Sequence, residues 1–269
     1  MQTMHPILSV AIRAAERAGG LIAKRLQQRD QLVVETKSHN DFVSEVDRQA
    51  EADIIQTIQK FYPDHAILGE ESGSLGKHRE FEWIIDPLDG TTNFLHGLPH
   101  FSVSIAVLHR GKLAHAVVYD PIRQELFSAS RGGGAQMNNR RIRVTTQRTL
   151  NHSLLATGFP FRDFSYLDTY MDTFKAFVTQ TSGIRRAGSA ALDLAWVAAG
   201  RVDGFWEFNL SPWDIAAGAL IVQEAGGVVC DFAGGENFLK SGNIVASNPK
   251  LLAQMMKTLA PQLPEAYRR

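Results

Sequence analysis

Cysteine is almost missing from this chain of 269 residues: there is one, Cys230. No internal disulfide can form. The residue sits in "GGVVCDF", which reads as a buried strand, so a structural thiol is expected rather than a nucleophile. A surplus of one charge is also missing. Lys plus Arg equals Asp plus Glu at 28 each, for a formal net charge of zero. That excludes a non-specific nucleic-acid binder, which needs basic excess to neutralise phosphates; it leaves room for a folded protein partner. No apolar run is long enough to span a bilayer. The opening "MQTMHPILSVAIRAAERAGG" is interrupted by Arg13, Glu16 and Arg17 and lacks a signal-peptide core with a cleavage site, so a cytoplasmic protein is expected. Low-complexity linkers, internal repeats and a Gly-x-Ser-x-Gly nucleophile elbow are absent as well.

What is present has a globular balance, 44% hydrophobic and 21% charged, in a length that suits one large domain or two lobes sharing a core. Apolar spacing predicts a helix over 6–28, with Pro6 in its first turn, and another over 45–61 that Pro63 stops. "QLVVETK" reads as a short strand. "HAILGEES" and "FEWIID" read as two buried strands, each ending in carboxylates. From Phe101 to about Val144, turn signals at Arg-Gly, Asp-Pro, Gly-Gly and Asn-Asn break the chain into an antiparallel meander. The second half alternates: strands at "SLLATGF", "RVDGFWEF", "VVCDF" and "NIVAS", helices over 167–178, in "GSAALDLAWVAAG", in "SPWDIAAGALIVQEAGG" and from Pro249. This predicts an α/β fold in two tightly packed lobes, an α+β lobe over 1–146 and an α/β lobe over 147–269.

The stretch "WIIDPLDGTTNF", Trp83 to Phe94, concentrates the chemistry. Asp86 precedes Pro87, which stiffens the strand end. Asp89 then returns to the same side, where both carboxylates could share a hard cation. Gly90 permits tight backbone, and Thr91, Thr92 or Asn93 could cap a following helix whose free N–H groups suit phosphate. Turn chemistry alone explains much of this pattern. Glu70 and Glu71 in "GEES" fit either a cation site or a solvated loop. In "NDFVSEVD", Ser44 and Asp47 have capping-box spacing, which leaves Asp41 less well explained. Ser211, Pro212 and Asp214 have the same punctuation, so Asp214 is either a capping acid or something more.

Taken together, "NDFVSEVD", "GEES", "WIIDPLDGTTNF", "YDPIRQELFSASRGGGA", "RRAGSAALDLAWVAAGRVDGFWE", "WDIAAGALIVQEAGG" and "GNIVASNP" resemble the inositol monophosphatase family, and most closely its bacterial inositol-1-monophosphatases. The resemblance covers essentially the whole chain. It implies a layered αβαβα sandwich of the sugar-phosphatase type and a Mg²⁺-dependent, lithium-sensitive phosphomonoesterase. It assigns Glu70, Asp86 and the Leu88 carbonyl to one magnesium, and Asp86, Asp89 and Asp214 to a second, with Glu70 also near a weak third. It makes Thr91 and Asp47 the pair that orients the attacking water, with Glu70 beside them in the catalytic set. Gly90 and Thr91 offer N–H groups to phosphate. Gly188, Ser189, Ala190 and Glu207 line the alcohol side, joined there by Asp89 and Asp214.

No covalent nucleophile is needed, because two ions about 4 Å apart can serve both attacking and leaving oxygens. A site drawing on both lobes belongs in the cleft between them. The resemblance further implies a homodimer, for which the apolar meander could supply the interface. A bacterial branch of the family is associated with ribosomal-RNA antitermination, so RNA polymerase or antitermination factors are alternative partners to a small phosphomonoester. A bisphosphate nucleotidase or fructose-1,6-bisphosphatase of the same superfamily is a further alternative. "RRAGSAALDLA" and "GFWE" favour the inositol branch, since Glu207 would repel a second phosphate. The run Arg140, Arg141 and Arg143 reads as a protected, solvated hairpin edge rather than an RNA face.

Overall fold

The computed structural model describes residues 5–28, 34–38, 41–76, 78–160 and 163–268. Helix α1 (Pro6–Leu26) opens with proline in its first turn, capped by His5, and ends two residues before the predicted boundary. Strands β1 (Val34–Ser38) and β2 (Asp41–Ser44) pair antiparallel. The first three residues of the predicted strand "QLVVETK" lie outside the described residues. Helix α2 (Glu45–Phe61) matches its predicted limits and carries the Ser44–Asp47 capping box.

An eight-stranded sheet follows, from β3 (His65–Gly69), β4 (Gly73–Leu75), β5 (His78–Asp89), β6 (Ser102–His109), β7 (Lys112–Asp120), β8 (Glu125–Ser130), β9 (Gly134–Met137) and β10 (Arg140–Arg141). Its order is β10-β9-β8-β7-β6-β5-β3-β4. The predicted meander is its antiparallel part, and only β3 and β5 run parallel. Helix α3 (Thr91–Leu95) interrupts β5 and β6.

The second sheet has five strands, β11 (Leu154–Thr157), β12 (Gly183–Arg185), β13 (Gly204–Glu207), β14 (Val228–Cys230) and β15 (Ile244–Ser247), in the order β12-β11-β13-β15-β14. Its helices are α4 (Leu167–Val178), α5 (Ala190–Ala198), α6 (Pro212–Glu224), the single turn α7 (Phe238–Ser241) and α8 (Pro249–Leu259).

Strand alternation explains the layering. Trp83 and Ile85 of β5 point to one face, where they join Val103, Ile105 and Val107 of β6 against α1 and α2. Ile84 and Ala106 point to the other face, against α5 and α6. In the second sheet Phe205 and Ala246 share that same central helix layer. Trp206 and Val245 turn outward to α4 and α8. The result is helices, sheet, helices, sheet, helices: the αβαβα sandwich, with α5 and α6 serving both sheets.

Most of the meander's apolar residues are buried in this packing, while Ile122, between β7 and β8, is exposed. Other exposed apolar side chains include Leu167, Met171 and Val178 on α4. Their spacing puts them on one helix face. Among the described residues no helix is long and apolar enough to cross a membrane.

Candidate active site

A bulge in β5 builds the core of the site. Asp86 pairs with Ser104 of β6 and Asp89 with Ser102. Two β5 residues, Pro87 and Leu88, therefore oppose the single Val103. The extra residue turns a spacing of three into an effective spacing of two, so both aspartates leave the sheet on one face. Asp86 follows Ile84 on that face, which is the face covered by α5 and α6. The Leu88 N–H donates to Asp86 Oδ1 at 2.9 Å and fixes the turn.

The N-terminal ends of α5 and α6 meet these carboxylates. Ser189, the α5 cap, donates its hydroxyl to Asp89 Oδ2 at 2.6 Å, and the Ala191 N–H donates to the same oxygen at 2.7 Å. Asp214 sits at N3 of α6 and accepts the Ser211 N–H at 2.6 Å, so it is both a capping acid and a site acid. Positive helix ends favour carboxylates there. Oxygens of Asp86, Asp89 and Asp214 all lie within 4.8 Å of one another. Burial first, then mutual repulsion among Glu70, Asp89 and Asp214, pushes the Asp86 carboxyl well above the usual range. Burial raises Asp89 to about 6 against the pull of Ser189 and the α5 amides, and Asp214 is raised by burial, Asp89 and Glu70.

Glu70 falls outside the 4.8 Å group but lines the same cleft, as does Leu88. Its backbone N–H donates to Ile85 at 3.1 Å, which ties the end of β3 to β5. An all-oxygen, crowded acid set, buried at Asp86 and Asp89 and half-buried at Asp214 and Glu70, is the donor chemistry that a hard cation such as Mg²⁺ takes. The residues present therefore fit the metal.

Thr91 Oγ1 lies 2.9 Å from Asp47 Oδ1 and 3.0 Å from the Leu88 carbonyl, and its one hydrogen can reach either. Asp47 is fixed from behind by the Ser44 N–H and hydroxyl, at 2.9 and 2.6 Å. The cap of α3 differs from expectation. It is Gly90, in the left-handed conformation at φ 100°, with no side-chain cap from Thr91, Thr92 or Asn93. The reason is room as well as φ: a Cβ there would meet the Gly188 and His100 carbonyls at 3.1 Å. Asn93 instead braces the two halves, donating to the His100 carbonyl at 2.8 Å and the Ala187 carbonyl at 2.9 Å.

The cleft, about 530 Å³, runs from the acids toward Glu207, past Gly188, Ser189 and Ala190. Burial raises the Glu207 carboxyl to about 8, with Arg186 pulling it down and Asp89 pushing it up. Sequence reasoning missed four participants. Gly158 lets Glu207 in: a Cβ on it would sit 1.8 Å from Glu207 Oε1. Arg186 lies 4.3 Å over the Phe159 ring and faces the acids. Asp193 lines the cleft, buried, with Oδ1 lacking a hydrogen-bond partner among the described residues. Glu51 stands one helical turn beyond Asp47. Asp193 and Arg186 were in a quoted motif, but their direction depends on how α5 docks. Glu51 carries the only local signal, its spacing of four from Asp47.

Comparisons with known proteins agree with this architecture. The model of the inositol monophosphatase family matches residues 3–265. The chain is 54% identical to "Nus factor SuhB" of Pseudomonas aeruginosa, over 99% of this chain and 100% of that protein. Among solved structures it is similar to the extragenic suppressor protein suhB of Bartonella henselae, with a TM-score of 0.92 and 44% identity over 95% of this chain and 98% of the other. It is also similar to the inositol monophosphatase of Anabaena (Nostoc) sp. PCC 7120, with a TM-score of 0.83 and 38% identity over 97% of both chains.

Proposed function

The chain belongs to the inositol monophosphatase family, and from that premise we propose that it hydrolyses inositol 1-phosphate and related small phosphomonoesters, using Mg²⁺. The observation that carries this reading is the meeting of Asp86, Asp89 and Asp214 within 4.8 Å at one end of a cleft that has Glu207 on its other wall. Asp86, Asp89 and Asp214 would hold one ion; Glu70, Asp86 and the Leu88 carbonyl would hold another. An ion held there would ease loss of a proton from the attacking water and stabilise charge on the phosphate oxygens.

The chain's own residues do the rest. Thr91 Oγ1 would accept a hydrogen bond from the attacking water while it donates its own hydrogen to Asp47 Oδ1, 2.9 Å away, and so orients that water. Ser44 holds Asp47 so that only this oxygen faces Thr91. Gly90 and Thr91 line the cleft and would offer their N–H groups to the phosphate. Gly188, Ser189 and Ala190 border the alcohol, and Glu207 receives its hydroxyls. The Thr91–Asp47 and Ser44–Asp47 hydrogen bonds are already made, so little ordering of these groups is left for the reaction step.

A panel of inositol 1-phosphate, fructose 1,6-bisphosphate and adenosine 3′,5′-bisphosphate tests the substrate. Preference for either bisphosphate would overturn the inositol assignment and favour a sister branch of the superfamily. A second reading has its own support, the name "Nus factor" carried by a relative 54% identical along the whole chain. In that reading the protein docks on the transcription machinery and hydrolysis is secondary. Asp86→Asn separates the two: loss of the cellular function together with phosphate release favours catalysis, and loss of phosphate release alone favours docking. A homodimer, with the two lobes at 1–146 and 147–269 acting as one unit, is part of the proposal.

A further inference from the structure

Two buried carboxylates stand four apart on α2, Asp47 and Glu51, and so lie on the same face of the helix. Asp47 reaches the turn after β5 through Thr91. Glu51 reaches the other acid-bearing turn, after β3. Its Oε2 accepts the Glu71 N–H at 2.9 Å and its Oε1 accepts the Ser72 N–H at 2.7 Å. The carboxylate is 3% exposed, and a buried carboxylate is tolerated when charge-assisted hydrogen bonds take up its oxygens. Gly69 makes the approach possible, because a Cβ there would lie 2.5 Å from Glu51 Oε2.

Between these contacts stands Glu70. Its own N–H is held by Ile85 at 3.1 Å, and the next two N–H groups are held by Glu51. Three consecutive backbone donors are thus fixed, which sets the direction of the Glu70 Cα–Cβ bond.

We propose that Glu51 is a positioning residue for the metal site: by clamping the Glu71 and Ser72 amides it sets the aim of Glu70, and through it the affinity for the divalent cation. This rests on the reading of Glu70 as a metal ligand. Helix α2 is then a common rail whose Asp47 and Glu51 register the two acid-bearing turns against each other.

Glu51→Gln is nearly isosteric and tests the idea. The amide keeps one acceptor and turns an NH₂ toward an N–H that needs one. The measurement is Mn²⁺ binding by isothermal titration without substrate, on wild type, Glu51→Gln and Arg17→Ala, with thermal unfolding in EDTA alongside. Arg17→Ala is the control for looser docking of α2, since Arg17 pairs with Asp53, which leaves that helix on the side opposite Glu51. Loss of an outer partner of a metal site costs on the order of 10–100-fold in affinity. We expect the lower end, about tenfold weaker Mn²⁺ binding in Glu51→Gln, unchanged binding in Arg17→Ala, and a substrate KM at saturating metal like that of wild type. Wild-type affinity in Glu51→Gln overturns the proposal. So does a loss that merely tracks the unfolding temperature across both variants. A wild type that binds no Mn²⁺ overturns the metal reading itself, and the proposal with it.

Discussion

Replacing Asp86 by asparagine should make the metal-free protein more stable while removing its response to magnesium. Asp86 is 2% exposed and its oxygens lie within 4.8 Å of those of Asp89 and Asp214. Two unit charges at that separation repel by about 3–4 kcal/mol at an effective dielectric of about 20. Proton uptake relieves part of this, as do the Ser189 and Ala191 bonds to Asp89 and the Ser211 bond to Asp214. A net gain of about 2 kcal/mol is a conservative figure for removing the central charge. For a chain of this size that is about 4–8 °C in Tm. Asparagine can still accept the Leu88 N–H now bound to Asp86 Oδ1, so the turn keeps its shape. The assay is thermal unfolding of wild type and Asp86→Asn at neutral pH, each in EDTA and in excess Mg²⁺. Wild type should gain stability from the cation, and the variant should start higher and gain little. A variant that melts at or below wild type in EDTA, or that Mg²⁺ stabilises as much as wild type, would refute the reasoning.

Other expectations follow from separate parts of the molecule. Gly158→Ala should push the Glu207 carboxylate out of its socket, since the added Cβ falls 1.8 Å from Oε1. We expect KM for inositol 1-phosphate to rise about tenfold, the cost of roughly one polar contact, with kcat on a small glycol phosphate little changed; steady-state kinetics on both substrates decides. His100 is buried and held at about 4 against an ordinary 6.5, by burial and then by Arg123. Its folded value is depressed, so the unfolded chain binds the proton first. Stability from this group is full above about pH 6.5 and is lost as pH falls toward 4, by at most about 3 kcal/mol. His100→Phe, which keeps a ring against Trp196, should flatten urea midpoints over that window; an unchanged slope counts against it. Asn93→Ala should cost about 2 kcal/mol, because two carbonyls on separate halves of the chain lose one shared donor. Equilibrium unfolding reads this directly, and a loss under about 0.5 kcal/mol would mean that water replaces the brace.

Much of the architecture was legible because its signals are local. Apolar periodicity placed α2 at its observed ends, α4 was read at its own, and Ser211, Pro212 and Asp214 announced the start of α6. Both capping boxes formed as spaced. Short elements without a pattern of their own, β4, β12 and α7, were not readable, because pairing partners or packing create them.

The acids of the site were readable as residues, but the geometry that joins them was not. That Asp86 and Asp89 leave on one face follows from the bulge opposite Val103, which exists only once β5 and β6 are in register. Gly90 took the cap of α3 for a related reason: two carbonyls from distant segments close in on it. Glu51, Asp193 and Arg186 escaped because a charged residue on a helix or loop reads as solvated until its neighbours are known. The apolar meander shows the same limit from the other side, since the sequence alone did not divide its residues between the two cores that most of them fill.

The most direct test is release of inorganic phosphate from inositol 1-phosphate by the purified wild-type protein, in Mg²⁺ and again in EDTA, with Asp214→Asn in parallel. The account predicts turnover in Mg²⁺ that EDTA abolishes and that Asp214→Asn lacks, because the site needs an acid from each half of the chain. Phosphate release that persists in EDTA, or a wild type no more active than Asp214→Asn in Mg²⁺, would contradict it.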